Sequence, residues 1–139
     1  MNILFFLIPK ENVAYIYEEN TVRQGLEKIK HYGYTAVPIL DKEGKYVGTI
    51  TEGDFLRIIL FYNNTNIKEF ENIIIKDMDK RIHNKPVRVD SNMEDLLLTT
   101  INQSFVPVID DRDVFMGIIT RKDILQYYII ILIIIKNFI

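Results

Sequence analysis

The chain has 139 residues, 48% of them apolar and 12% aromatic, which suits one compact domain or two small repeats and excludes global disorder. Seventeen Lys and Arg stand against nineteen Asp and Glu, a net charge of −2 with the signs interspersed, which argues against a nucleic-acid-binding surface. The absence of cysteine excludes a disulfide framework, a thiolate nucleophile and a zinc–thiolate site and fits a cytoplasmic protein, while two histidines, His31 and His83, leave little for a metal centre.

Residues 1–9 lack the basic start and small-residue cleavage pattern of a signal peptide, so they predict a short lead-in helix stopped by Pro9. An apolar strand over 13–16 follows, then a polar turn and a helix with Val22, Leu26 and Ile29 on one face. A strand carrying Val37 and Pro38, a hairpin turn over 41–44, and a strand ending at Thr51 lead into a closing helix. Residues 63–66 and the stretch through Lys85 and Pro86 form a connection that includes a linker helix. The same succession then returns, with a strand over 87–89 and a helix bearing Met93, Leu96, Leu97 and Ile101. A strand with Val106 and Pro107, a turn over 110–113, a strand ending at Thr120 and a last helix complete it.

The return is in register. Residues 35–41 match 104–110 and residues 48–56 match 117–125, both at an offset of 69. The fold class is therefore α/β (α+β), with β-α-β-β-α occurring twice. Residues 1–66 form the first repeat with the lead-in helix, and 67–139 the linker helix, second repeat and an apolar tail. Each repeat alone is too small to bury enough surface. The two are expected to pack sheet to sheet about a pseudo-twofold axis, leaving two equivalent clefts.

The tail needs its own account, because no charge falls between Ile124 and Ile135. Twelve helical residues rise ~18 Å, too little for a hydrocarbon core ~30 Å thick. With no basic polar face to favour a membrane surface, the run predicts a helix buried against the domain or against a second copy.

Thr51 with Asp54, and Thr120 with Asp123, each open an apolar run in the pattern of a helix capping box. Helix starting is the simplest reading of either motif alone. Their repetition adds another, since free amides and the positive dipole end at a helix N-terminus also favour an anion. A Thr hydroxyl beside that spot, and an ionised Asp able to accept from two adjacent hydroxyls, suit a phosphate and a ribose diol. With a flat base between aliphatic side chains, these parts make a nucleotide site in a cleft between the repeats. Nothing comparable supports catalysis: no nucleophile elbow, phosphate loop or dinucleotide glycine fingerprint is present. Tyr15 and Tyr17 read as sheet filling, His31 and His83 as solvent-side or capping residues, and the acidic group Asp110, Asp111 and Asp113 as a solvated turn. Asp77 and Asp79 lack a partner for acid–base work.

The doubled pattern of Val-Pro strand, Gly-x-x-Thr-x-x-Asp and helix resembles a CBS-domain pair, or Bateman module, over about residues 7–125. The resemblance implies a regulatory module that binds AMP, ADP, ATP, S-adenosylmethionine or a dinucleotide, forms a homodimer, and acts on a target protein still to be identified. It implies no required cofactor, catalytic residue or metal. Asn12 to Ala14, residues 33–38 and Gly117 to Arg121 are similar, more narrowly, to the stand-alone CBS-pair proteins of Gram-positive bacteria that bind cyclic di-AMP. In that family each site crosses the repeats. Carried onto this chain, one cleft uses Ala14, Tyr34 and Thr35 with Ile118, Thr120, Arg121, Lys122 and Asp123. Ala14 and Ile118 flank adenine, Asp123 holds ribose, and Thr120, Arg121 and Lys122 meet phosphate. The second cleft uses Lys85, Gln103 and Ser104 with Ile50, Thr51 and Asp54. Glu52 and Gly53 stand there in place of Arg121 and Lys122, and an acid beside a phosphate is unfavourable, so the second cleft ranks as the weaker. The alternative is a structural or interaction module with vestigial sites that works through its apolar C-terminal helix.

Overall fold

The computed structural model describes residues 1–62, 66–78 and 84–138; Asp79, His83 and residues 63–65 of the connection lie outside the described residues. A 3₁₀ turn, Ile3–Phe6, precedes β1 (Ile8–Pro9) and a second 3₁₀ turn, Lys10–Asn12. Then come β2 (Ile16–Tyr17), α1 (Val22–Tyr32), β3 (Ala36–Leu40), β4 (Tyr46–Thr51) and α2 (Glu52–Tyr62). Past the 3₁₀ turns Ile67–Asn72 and Ile75–Asp77, the second series is β5 (Val87–Arg88), α3 (Met93–Thr99), β6 (Phe105–Ile109), β7 (Phe115–Thr120) and α4 (Arg121–Phe138). The order β-α-β-β-α thus occurs twice. The described part of the connection carries 3₁₀ turns rather than an α-helix, and the opening strands are shorter than expected.

Contacts group the chain into two units. The first-repeat unit holds Ala14–His83 together with Arg112–Phe115. Its sheet runs β2-β3-β4, with β2 parallel to β3 and β3 antiparallel to β4. Between β2 and β3 the chain crosses over through α1, which Thr21 and Gln24 open with a reciprocal capping box and Gly33 ends in a left-handed conformation (φ 71°). The β3–β4 turn is organised by Asp41, whose Oδ1 accepts from the amides of Glu43 and Lys45, both at 2.9 Å. Ile16, Val22, Ile29, Val37, Ile39, Ile50 and Phe55 form the core, with Phe70, Ile75 and Met78 from beyond residue 66.

The second-repeat unit holds Met1–Val13, Asn84–Asp111 and Met116–Ile139, and its sheet runs β1-β7-β6-β5. Here the lead-in segment departs from a division at residue 66. Ile3 and Phe6 are buried with Val87, Leu96, Val106, Val108, Ile119 and Ile124, and β1 pairs antiparallel with β7. The outer side of β7 offers an unpaired strand edge, and a short apolar segment ending in proline can complete that edge without extending it. Chain order and packing therefore part company. The first nine residues join the second repeat, and the 3₁₀ turns after residue 66 join the first.

Apolar side chains are exposed at the end of α3 and along the tail. α3 stops at Thr99, where the Thr100 hydroxyl donates to the Leu97 carbonyl at 2.7 Å; Leu97 is 38% exposed and Ile101, beyond the helix end, 68%. The tail continues α4 as a helix but is not buried within the chain, since Ile129, Ile130, Leu132, Ile133, Ile134 and Ile135 are each about half exposed.

The tightest approach in the second-repeat unit is at Gly117 (φ 149°), where an added Cβ would lie 2.1 Å from the Ile8 carbonyl oxygen. Gly117→Ala is expected to destabilise the protein by roughly 2–4 kcal/mol, from the strained backbone together with the lost β1 pairing. A urea midpoint for the variant equal to that of the wild type would contradict this packing.

Candidate functional site

Each motif sits where a strand runs straight into a helix. The first amide of α2, at Glu52, donates to the Thr35 carbonyl at 2.9 Å, and the first amide of α4, at Arg121, donates to the Ser104 carbonyl at 2.9 Å. The bond satisfies one orphan donor of the helix and fixes the start of the preceding strand beside it. In the first-repeat unit this gathers Thr35 with Thr51 and Asp54 around the start of α2. In the second-repeat unit it gathers Ser104 with Thr120, Arg121, Lys122 and Asp123 around the start of α4.

The two motifs then differ. Asp54 is 1% exposed, and its Oδ2 accepts from the Thr51 amide at 2.9 Å and from the Thr51 hydroxyl at 3.1 Å. The Asp54 amide donates back to Thr51 Oγ1 at 3.2 Å, and Arg57 ion-pairs with Asp54 Oδ1. This is a complete capping box with a cation added. At the second motif the Asp123 amide donates to Thr120 Oγ1 at 3.1 Å, but among the described residues the Asp123 carboxylate accepts no hydrogen bond. Asp123 is half-buried, so its oxygens keep their acceptor capacity at the first turn of an 18-residue helix. Arg57 is the residue that sequence reasoning missed. Its signal was available, an Arg three positions after an Asp on a helix, where Gln126 stands in the second repeat.

The remaining expected residues fall into place unit by unit. Ala14 is half-buried against the first-repeat core, and Tyr34 and Thr35 are exposed, with the Tyr34 ring stacked on Tyr32 at 5.9 Å. Ile50 is fully buried in the core, so it has no exposed surface to offer a ligand. Ile118 is half-buried and pairs with Ile8. Lys122 is exposed, whereas Arg121 directs Nη1 to the Thr100 carbonyl at 3.2 Å. Gln103 has a local structural job: its amide group accepts from the Lys85 amide at 2.8 Å and donates to the Lys85 carbonyl at 3.0 Å. The halves of each expected cleft thus belong to different units, Ala14, Tyr34 and Thr35 to one and Thr120 to Asp123 to the other.

Within the first-repeat unit a cavity of about 800 Å³ is lined by the Asp54–Arg57 pair and by Ile58, Phe61, Ile73 and Met78. A groove of about 460 Å³ in the second-repeat unit lies along Leu97, Ile101, Arg121, Leu125 and Tyr128. Burial pushes the Tyr46 hydroxyl up to about 12, partly offset by its 2.7 Å hydrogen bond with Thr49. Tyr46 opens β4, packs beside Phe115 in the first-repeat unit, and keeps its proton at neutral pH. Among the described residues no group of acidic and histidine side chains could hold a metal ion.

The CBS domain family model matches residues 7–61 and 73–130. Among curated proteins, Cyclic di-AMP receptor B of Bacillus subtilis is 28% identical over 126 residues, covering 87% of this chain and 82% of that protein. The A-adding tRNA nucleotidyltransferase of Aquifex aeolicus is 30% identical over 113 residues, but this chain spans only 13% of its length. Among solved structures, CbpB in complex with c-di-AMP aligns with a TM-score of 0.86 at 27% identity, covering 100% of this chain and 91% of that one. CbpB of Listeria monocytogenes in complex with c-di-AMP aligns at 0.77 and 25% identity, covering 92% and 95%. The doubled strand-to-helix motif and the family match over most of the chain lead to one conclusion: this chain belongs to the CBS domain family and carries two CBS domains in tandem.

Proposed function

We propose that the chain is a regulatory module that binds an adenine nucleotide at the Asp123 motif and passes ligand occupancy to a partner protein. The supporting observation is the half-buried Asp123 carboxylate, left without a partner among the described residues, beside the Thr120 hydroxyl at the start of α4. A carboxylate so placed accepts from both hydroxyls of a ribose, while the helix start and Lys122 favour phosphate. In this reading Ile118 flanks adenine, and Ala14, Tyr34 and Thr35 of the first-repeat unit are further ligand-binding candidates. The relatives that carry a cyclic di-AMP receptor name or a bound c-di-AMP favour that dinucleotide as the ligand, ahead of AMP, ATP or S-adenosylmethionine. The module works in the cytoplasm, without catalysis and without nucleic acid. Ligand occupancy changes the balance between conformations of the module, and a partner that prefers one conformation reads that balance.

Calorimetric titration with AMP, ATP, S-adenosylmethionine and cyclic di-AMP tests this. Asp123→Ala is expected to weaken every adenosine ligand at least ~10-fold, and Thr120→Ala to weaken phosphate-bearing ligands, since hydrogen bonds to charged groups contribute about 1.5–3 kcal/mol. Unchanged affinity in Asp123→Ala would overturn the assignment.

A second reading is favoured by the exposed tail, in which α4 mediates self-association. Ile129, Ile130 and Leu132 to Ile135 leave a helix apolar nearly all round, with Lys136 its one charged residue after Asp123. Among the described residues no helix is long and apolar enough to cross a membrane. A second copy of the chain offers the same apolar surface, continuous with the groove at Leu125 and Tyr128. Removing the residues after Tyr128 is expected to convert a dimer to a monomer in light scattering while nucleotide affinity is retained. A dimer that survives the deletion excludes the tail as the contact.

A further inference from the structure

We infer that Arg57 closes the first repeat's motif to a ribose, so that the chain carries one adenosine site, on Asp123, and not two. The inference rests on the nucleotide-binding reading above and names the residue that makes the two repeats unequal. A ribose diol binds a carboxylate by donating two hydroxyl hydrogens to its oxygens. At Asp54 those places are occupied from within the repeat, Oδ2 by the Thr51 amide and hydroxyl and Oδ1 by the Arg57 guanidinium. The Asp54 side chain is fully buried, while its ion-pair partner Arg57 is 36% exposed.

Displacing Arg57 in favour of a neutral diol exchanges a charge-assisted pair for two neutral donors, an unfavourable trade around a buried carboxylate. Space is not what limits the site, because Asp54 and Arg57 both border the cavity of about 800 Å³. The second repeat lacks the closing cation. Gln126 occupies the position three residues after Asp123, is exposed, and leaves the carboxylate without a partner among the described residues. Arg in one repeat and Gln in the other, together with the Thr51 bonds to Asp54, makes the two carboxylates unequal.

The experiment moves that residue both ways. By calorimetry with AMP, the wild type is expected to bind one nucleotide per chain and Arg57→Gln to gain a second, weaker one through the Oδ1 that Arg57 vacates. Gln126→Arg, at an exposed helix position that tolerates the change, is expected to weaken AMP and cyclic di-AMP roughly 10- to 100-fold by closing Asp123. Two AMP per wild-type chain, or full affinity in Gln126→Arg, overturns the inference and leaves the nucleotide-binding reading standing. Should Arg57→Gln lose its folded circular dichroism signal, the Gln126→Arg titration decides alone. Absence of binding of either nucleotide by the wild type and by Arg57→Gln overturns the functional reading and this inference together.

Discussion

In both repeats a closing helix begins on the last residue of a strand, and its first amide donates to the carbonyl just ahead of the neighbouring strand, Glu52 to Thr35 and Arg121 to Ser104. Little freedom is left at the junction. A helix that must start there needs its other early amides satisfied locally, which explains a Thr at the strand end and an acid three residues on. The same requirement brings hydroxyl, carboxylate and free amides to one point. Helix capping and the proposed ligand binding therefore draw on the same atoms, and each repeat resolves that competition separately. The first repeat uses its carboxylate for internal structure, with Thr51 and Arg57 around Asp54. The second leaves Asp123 with acceptor capacity to spare.

Much of this was legible in the sequence, because it depends on local rules that repeat. The common offset of 69 residues identified both hairpins, both Val-Pro strands and both helix starts, and these are the elements the structure shows at 36–62 and 105–138. Even the turn chemistry is shared. Gly44 and Asp113, equivalent at that offset, both adopt positive φ, 81° and 66°. What escaped was non-local. Periodicity shows that Ile3 and Phe6 are apolar but not which core they enter, and only the pairing of Ile8 with Ile118 assigns them to the second repeat. Leu97 and Ile101 fit a helical stripe, yet α3 stops at Thr99, before Ile101, and both residues are exposed. Arg57 was visible in the sequence but not its consequence, since the burial of Asp54 is what turns an i,i+3 pair into a closure.

The tail shows the opposite relation between sequence and structure. Its composition demands cover, for burying a large aliphatic side chain contributes about 1.5–3 kcal/mol. Among the described residues that cover is incomplete, as Ile129, Ile130 and Leu132 to Ile135 stay about half exposed where α4 continues past the core residue Ile124. A helix of this kind is stable in water only when something lies against it. The apolar tail and the Asp123 motif share one helix, so whatever packs on the tail is mechanically joined to the strand–helix junction where the nucleotide is proposed to bind.

The central claim is that a nucleotide sits at the start of α4 and not at the start of α2. Amide hydrogen exchange with and without saturating cyclic di-AMP tests it most directly. The account predicts slowed exchange at the amides of Arg121, Lys122 and Asp123, with those of Glu52, Gly53 and Asp54 unchanged. Protection confined to the α2 start, or none at either, would contradict it.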